Sequence, residues 1–197
     1  MRADDALYLH EILWRGAAHM SRLPAAGDPR PAYALLGAMM LTHSALEAYL
    51  NFVGARAAPG IWADEKAHFT ATPYRGVLGK LNWLCEELAV AQDWSKPPWQ
   101  SLKALDTWRN RLAHGKDEPA GGRGAVPNGL LDPCTAARLD VCRTAVRDVC
   151  GRLHEAAAVK HRLAGADARA PFGGPDDDAP GNRSRPREAT RKESPAN

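Results

Sequence analysis

The chain predicts an all-α domain, and three features predict it. Apolar residues recur three and four places apart through most of its 197 residues. No stretch of useful length alternates with a period of two. Proline, glycine and small polar residues interrupt the periodic stretches at intervals that suit helices rather than strands. A composition of 45% hydrophobic and 25% charged residues supplies enough apolar surface for one core. The expected arrangement is a bundle of about five helices over residues 4–164, followed by a disordered tail over 165–197.

The first helix is expected from Asp4 or Asp5 to about Leu23, with Leu7, His10, Ile12, Leu13, Trp14, Ala17 and Ala18 forming a broad apolar face. Pro24, Gly27, Pro29 and Pro31 then break the chain. The second helix, Pro31 to about Arg56, is apolar around most of its circumference, as a central helix must be. A loop containing Pro59, Gly60 and Trp62 follows. Thr72 and Pro73 look like the cap and first-turn proline of a third helix that buries Val77, Leu81, Leu84, Cys85 and Leu88. Ser95, Pro97 and Pro98 can open a fourth, which Gly115 stops just after His114. The stretch "GKDEPAGGRGAVPNG" reads as an exposed loop. A last helix begins near Asp132 and Pro133, buries Leu139, Cys142, Val146, Val149 and Leu153, and fades near Leu163. Beyond Gly165 one phenylalanine, Phe172, stands among prolines, an acidic run and scattered arginines, a composition that does not repay the entropy of ordering.

Several classes are excluded. No apolar run approaches the roughly 20 residues of a membrane span. The acidic start "MRADDALYLHEILW" lacks the basic region of a signal peptide, so a cytoplasmic location is expected. Cys85, Cys134, Cys142 and Cys150 form no Cys-x-x-Cys and read as free buried thiols, not metal ligands. His68 in "DEKAH" lacks the spacing of a zinc protease. Neither a phosphate-binding glycine loop nor a serine nucleophile elbow occurs; a helical transcription regulator is the weaker option, since no convincing helix-turn-helix with a basic recognition helix is present. No metal or cofactor is expected. The net charge of +3 is too small to name a partner, so nucleic-acid binding would need a local basic groove.

The segment "DTWRNRLAHGKDEP" carries the chemistry. At about 100° per residue, Leu102, Leu105, Leu112 and Ala113 form an apolar face, and Arg109 falls near its middle. A guanidinium there must meet an anion or a cavity, because a buried unpaired charge is expensive. Asn110 and His114, four apart, share a side. Arg109 and His114 diverge by about 140° on a straight helix and converge only if the helix ends before His114. On the second helix, Ser44, Glu47 and Asn51 make a polar stripe beside His43. His43 alone reads as a satisfied core histidine. Of six tryptophans, Trp83 and Trp108 are expected in the core. Trp62, Trp94 and Trp99 lie near loops, where they either stack on bases or are partly buried.

"RNRLAHG", with Arg109, Asn110 and His114, resembles the signature of HEPN domains, all-helical modules that carry an arginine, often followed by asparagine, and a histidine several residues on. The resemblance extends loosely over residues 5–160, and "LTHSALEAYLN" is similar to their second helix. It implies a metal-independent RNA endonuclease acting as a homodimer, with the two motifs meeting in one composite site. His114 would move protons, Arg109 would stabilise charge on the scissile phosphate, and Asn110 would hold the histidine or backbone. Two histidines from a symmetric pair would divide the acid and base roles. The expected products are a 2′,3′-cyclic phosphate and a 5′-hydroxyl, and DNA should resist. Glu47 would orient Arg109 or His114 from behind, or else a Glu47–Arg109 pair fills a polar gap in the core. Some family toxins carry a tyrosine two places after the histidine; here Lys116 stands there, as an RNA-backbone contact or a solvated lysine. The setting the resemblance implies is a toxin or a defence effector with an antitoxin or regulatory partner. The alternative is a non-catalytic HEPN-like module that binds RNA or nucleotides, or serves as a scaffold.

Overall fold

In the computed structural model, which describes residues 8–22, 31–114, 131–161, 163 and 171–172, five of the other six helices pack on one long central helix. Seven helices and no extended strand occur among the described residues: α1 (Leu9–Arg22), α2 (Pro31–Ala57), α3 (Pro59–Ala63), α4 (Glu65–His68), α5 (Gly76–Leu88), α6 (Trp99–Ala113) and α7 (Ala136–His161). None of these is long and apolar enough to cross a membrane.

The sequence of α2 explains its place. Ala34, Leu35, Ala38, Met39, Leu46, Tyr49, Leu50 and Val53 are buried around its circumference, and α1, α3, α5, α6 and α7 all pack on it. The second helix therefore lies where its composition predicts. Helix α1 runs antiparallel to it, since Tyr8 meets Phe52 at one end while Met20 meets Gly37 at the other. Its buried face is His10, Trp14, Ala17 and Ala18, part of the expected stripe; Leu13 is half-buried, Ile12 is 44% exposed against expectation, and Leu7 lies outside the described residues. Helix α7 buries Leu139, Cys142, Val146, Val149 and Leu153, again as expected, and starts where the Thr135 hydroxyl accepts the Arg138 amide at 3.1 Å. The four cysteines are free and buried. Burial pushes their thiols up, Cys85 to about 12, which leaves them unreactive.

The structure corrects several expectations. The segment expected as a loop after α2 holds α3 and α4. Pro59 suits a helix's first turn, and Trp62 fits against Gly54, where any side chain would overlap its indole. Trp62 also meets Phe69 and Trp83 and is 9% exposed, while Trp99 is 3% exposed, so neither offers a face for stacking on bases. Trp108 is buried as expected, and Trp83 is half-buried. Helix α5 begins at Gly76 rather than near Pro73, because Gly76 adopts φ +69° and the chain turns there. Helix α1 begins at Leu9; Asp4 and Asp5 lie outside the described residues, as do Gly115, Lys116 and the glycine-rich loop.

The largest correction concerns Phe172, read from sequence as part of a disordered tail. Its side chain is 3% exposed and stacks on Trp14, with ring centroids 4.3 Å apart and planes at 18°. Tyr49 and His10 close the same cluster. The Pro171 carbonyl accepts a hydrogen bond from the His10 ring. One aromatic residue among prolines carries little periodicity, but it matches a socket that α1 and α2 build together. Truncation to Phe172→Ala removes a buried ring and should cost about 3 kcal/mol in urea denaturation; an unchanged midpoint would return this segment to the tail.

His10 is 4% exposed, and burial, then the Arg56 charge, lowers its pKa from 6.5 to about 4. The unfolded chain therefore binds this proton more readily, so the contribution is complete above pH 6.5 and is lost as pH falls toward 4. Native stability should drop by up to about 3 kcal/mol over that window, less in His10→Phe, as read from urea midpoints against pH.

Candidate functional site

A cleft of about 620 Å³ opens between the C-terminal half of α6 and the α4–α5 region, with Glu47 of α2 reaching into it. Arg109, Asn110 and His114 all line it. Their convergence has the geometric cause anticipated above. Helix α6 ends at Ala113, and His114 sits at its C-cap with φ −112° and ψ 24°, its amide bonded to the Asn110 carbonyl at 3.0 Å. Leaving the helical path turns His114 toward the side reached by Arg109. Asn110 and His114 are exposed and Arg109 is half-buried, consistent with its root on the apolar face of α6.

Arg109 is held by a chain of hydrogen bonds that starts in the core. His43 of α2, 1% exposed, places Nε2 2.9 Å from Oδ1 of Asp106. Oδ2 of Asp106 accepts from Nδ2 of Asn110 at 3.0 Å. Asn110 turns its Oδ1 to Arg109, whose Nη1 donates at 3.1 Å. An ionised carboxylate only accepts, so Asp106 makes His43 donate from Nε2 and fixes the Asn110 amide with its oxygen toward the arginine. The satisfied core histidine expected at 43 is thus tied to the motif. Asp106 was not singled out from sequence, although it precedes Asn110 by one helical turn, a spacing at which such a bond is ordinary.

The opposite wall is built on a buried cation. Lys80, 6% exposed, donates to Oδ1 of Asn51 at 2.9 Å and to Oε2 of Glu65 at 3.0 Å, with Oε1 of Glu47 at 3.8 Å. Glu47 is therefore ion-paired to Lys80 rather than to Arg109, and the core pair weighed from sequence is not formed. Asn51 lies behind the cleft, binding Lys80 and accepting from Trp62 Nε1 at 3.3 Å. Ser44 is half-buried on α2 and does not line the cleft. Lys80, Glu65, Lys66 and Arg75 went unremarked in the sequence. Lys80 had a legible signal, since it interrupts the apolar stripe of α5 just as Arg109 interrupts that of α6.

The lining is mixed in charge: Lys66, Arg75, Lys80 and Arg109 face Glu47, Glu65 and Asp106. Lys80 offsets Glu47 and Glu65, while Arg75, Arg109 and His114 carry the side of the cleft able to meet an anion. Comparison with protein-family models, curated proteins and solved structures found no match to this chain.

If Asp106 ties the core to the motif, Asp106→Ala leaves the buried His43 nitrogen unpaired and should cost about 2 kcal/mol in urea denaturation. A double-mutant cycle with His43→Leu should show coupling of about 1 kcal/mol or more. Additive losses would dissolve the link.

Proposed function

We propose that the chain is a HEPN-type RNA endonuclease, working without a metal and as a homodimer. The observation that carries this reading is the meeting of Arg109, Asn110 and His114 in one open cleft, with α6 ending just before His114. The residue types suit cleavage by the ribose 2′-hydroxyl. His114 can accept the hydroxyl proton or protonate the leaving 5′-oxygen, because an imidazole changes charge near neutral pH. One imidazole does not do both in a single step, so a second copy related by a twofold axis supplies the partner acid. Arg109 meets the charge that develops on the phosphate. A guanidinium has five donors, and the bond to Asn110 takes one while fixing the direction of the fork. The products are a 2′,3′-cyclic phosphate and a 5′-hydroxyl.

A second reading, a non-catalytic binding or scaffold module that does not depend on capturing a long RNA, is favoured by one observation: three carboxylates, from Glu47, Glu65 and Asp106, line the same cleft and weaken its attraction for a polyanion.

Purified protein in EDTA decides between them. The expected result is RNA cut to cyclic-phosphate ends, with no cutting of DNA. His114→Ala should lose about 10²–10⁴-fold in rate. Arg109→Ala should lose about 10²–10³-fold, with Arg109→Lys only partly restoring it because the planar fork is gone. No cleavage of several RNAs by a folded dimer would favour the binding module. Equal cleavage by the wild type and His114→Ala would remove His114 from the mechanism.

A further inference from the structure

The cleft holds more cations than the motif accounts for. Lys66 on α4 and Arg75, the residue before α5, line it from the wall that faces Arg109 and His114 on α6. Both are exposed, and neither side chain makes an ion pair or hydrogen bond with another described residue. The carboxylates of the cleft are engaged elsewhere. Glu65 accepts from Lys80 at 3.0 Å, Glu47 lies 3.8 Å from the same ammonium, and Asp106 holds His43 and Asn110. The charge of Lys80 is answered by the same contacts. Uncommitted cationic capacity therefore stands at two places on facing walls: Lys66 and Arg75 on one, Arg109 with His114 on the other. Glu47 and Glu65 keep 38% and 41% of their side chains exposed, and a carboxylate paired to one lysine still has lone pairs for a further donor.

Two anion positions on facing walls, with hydrogen-bond acceptors in the same space, define a ligand by its charge pattern. A single phosphate fills one position and leaves the other wall unused. Two phosphates joined through an uncharged body that carries donors use both walls and the acceptors. An internal nucleotide of RNA has this form: a phosphate on its 5′ oxygen, another on its 3′ oxygen, and between them the 2′-hydroxyl and the base. The cleft's volume of about 620 Å³ falls in the range of sites that enclose a small ligand, about 300–1,000 Å³.

We infer that the cleft is a two-phosphate site for one nucleotide of a single RNA strand. Arg109 takes the phosphate that is cut, while Arg75 and Lys66 take the phosphate at the other end of the same nucleotide. The nucleotide that offers its 2′-hydroxyl to His114 carries the cut phosphate on its 3′ oxygen, so Arg75 and Lys66 hold its 5′ phosphate. That phosphate does not react. Its contacts are the same in the ground state and the transition state, and they act on KM rather than kcat. The inference rests on the RNA reading of the cleft for the identity of the strand, and the test keeps the two apart.

The test is calorimetric titration of the four nucleoside 3′,5′-bisphosphates, and of their 5′- and 3′-monophosphates, into the wild-type protein. The best-bound bisphosphate should bind about tenfold or more tightly than either of its monophosphates, as an added charge-assisted contact requires. Lys66→Ala with Arg75→Ala should abolish its preference over the 3′-monophosphate and leave binding of that monophosphate unchanged. Arg109→Ala should abolish its preference over the 5′-monophosphate instead. Thermal midpoints confirm that each variant is folded, and Lys66 and Arg75 are exposed, so their removal leaves the core intact. Bisphosphates that bind within twofold of the monophosphates would overturn the two-phosphate site, as would a preference that survives both sets of substitutions. A 2′-O-methyl RNA trimer, which resists cutting, should bind at least as tightly as the bisphosphate; tenfold weaker binding would give the site to a free nucleotide and overturn the strand. In RNA cleavage, Arg75→Ala should raise KM about tenfold with kcat kept within about twofold. If no RNA is cut but the preference and its loss are seen, the nuclease reading falls and the two-phosphate site stands. If RNA is cut with dependence on His114 but the bisphosphates show no preference, the site falls and the nuclease reading stands.

Discussion

Because five other helices pack on α2, each polar side chain buried along it must find its partner inside the protein, and much of the structure follows from that constraint. His43 answers to Asp106 on α6, Asn51 to Lys80 on α5, and Tyr49 to Nδ1 of His154 on α7 at 3.0 Å. Apolar packing alone tolerates sliding of one helix along another. A hydrogen bond between two named atoms does not, and leaving either atom unpaired in the core is costly. Each of these pairs therefore sets the axial position of one helix against α2.

Two of the three pairs lie beneath the cleft, which is where the polar interior reaches the surface. The His43–Asp106 bond positions the helix that carries Arg109, Asn110 and His114. The Asn51–Lys80 bond positions the wall that faces them. Between the two, a half-buried arginine has its fork directed by Asn110, and one turn further on a histidine leaves the helix toward it. The directions of these groups are thus set by the protein's own contacts.

The remaining pair belongs to a different region of the molecule. Tyr49, His154, His10, Trp14 and Phe172 form an aromatic and imidazole cluster at the far end of α2 from Pro31, closed by the chain beyond α7. Its histidine at position 10 is kept neutral by burial, and its rings contribute packing rather than chemistry. Histidine thus plays three roles here: an exposed candidate proton carrier at 114, a hydrogen-bond anchor at 43 and a core ring at 10. The surroundings assign the role, not the residue type.

The sequence by itself determined that the described residues are all-α, that α2 is central, most of the buried faces of α1, α5, α6 and α7, with Ile12 and Ala113 exposed against expectation, and that Arg109 is misplaced on an apolar face. These are consequences of short-range periodicity, which a helix preserves whatever surrounds it. The motif's convergence was legible in part, because the geometry required α6 to end before His114, and it does. Tertiary structure alone decided the partners. Nothing local to Glu47 distinguishes Lys80 from Arg109 as its counter-ion, since the choice depends on how α5 and α6 lean on α2. Nothing local to Phe172 reveals a socket made by two helices far away in sequence, nor to Trp94 that it borders a groove with Lys103 and Arg111. Periodicity tells which side of a helix faces inward; which atoms it meets there is set by contacts between residues far apart in the chain.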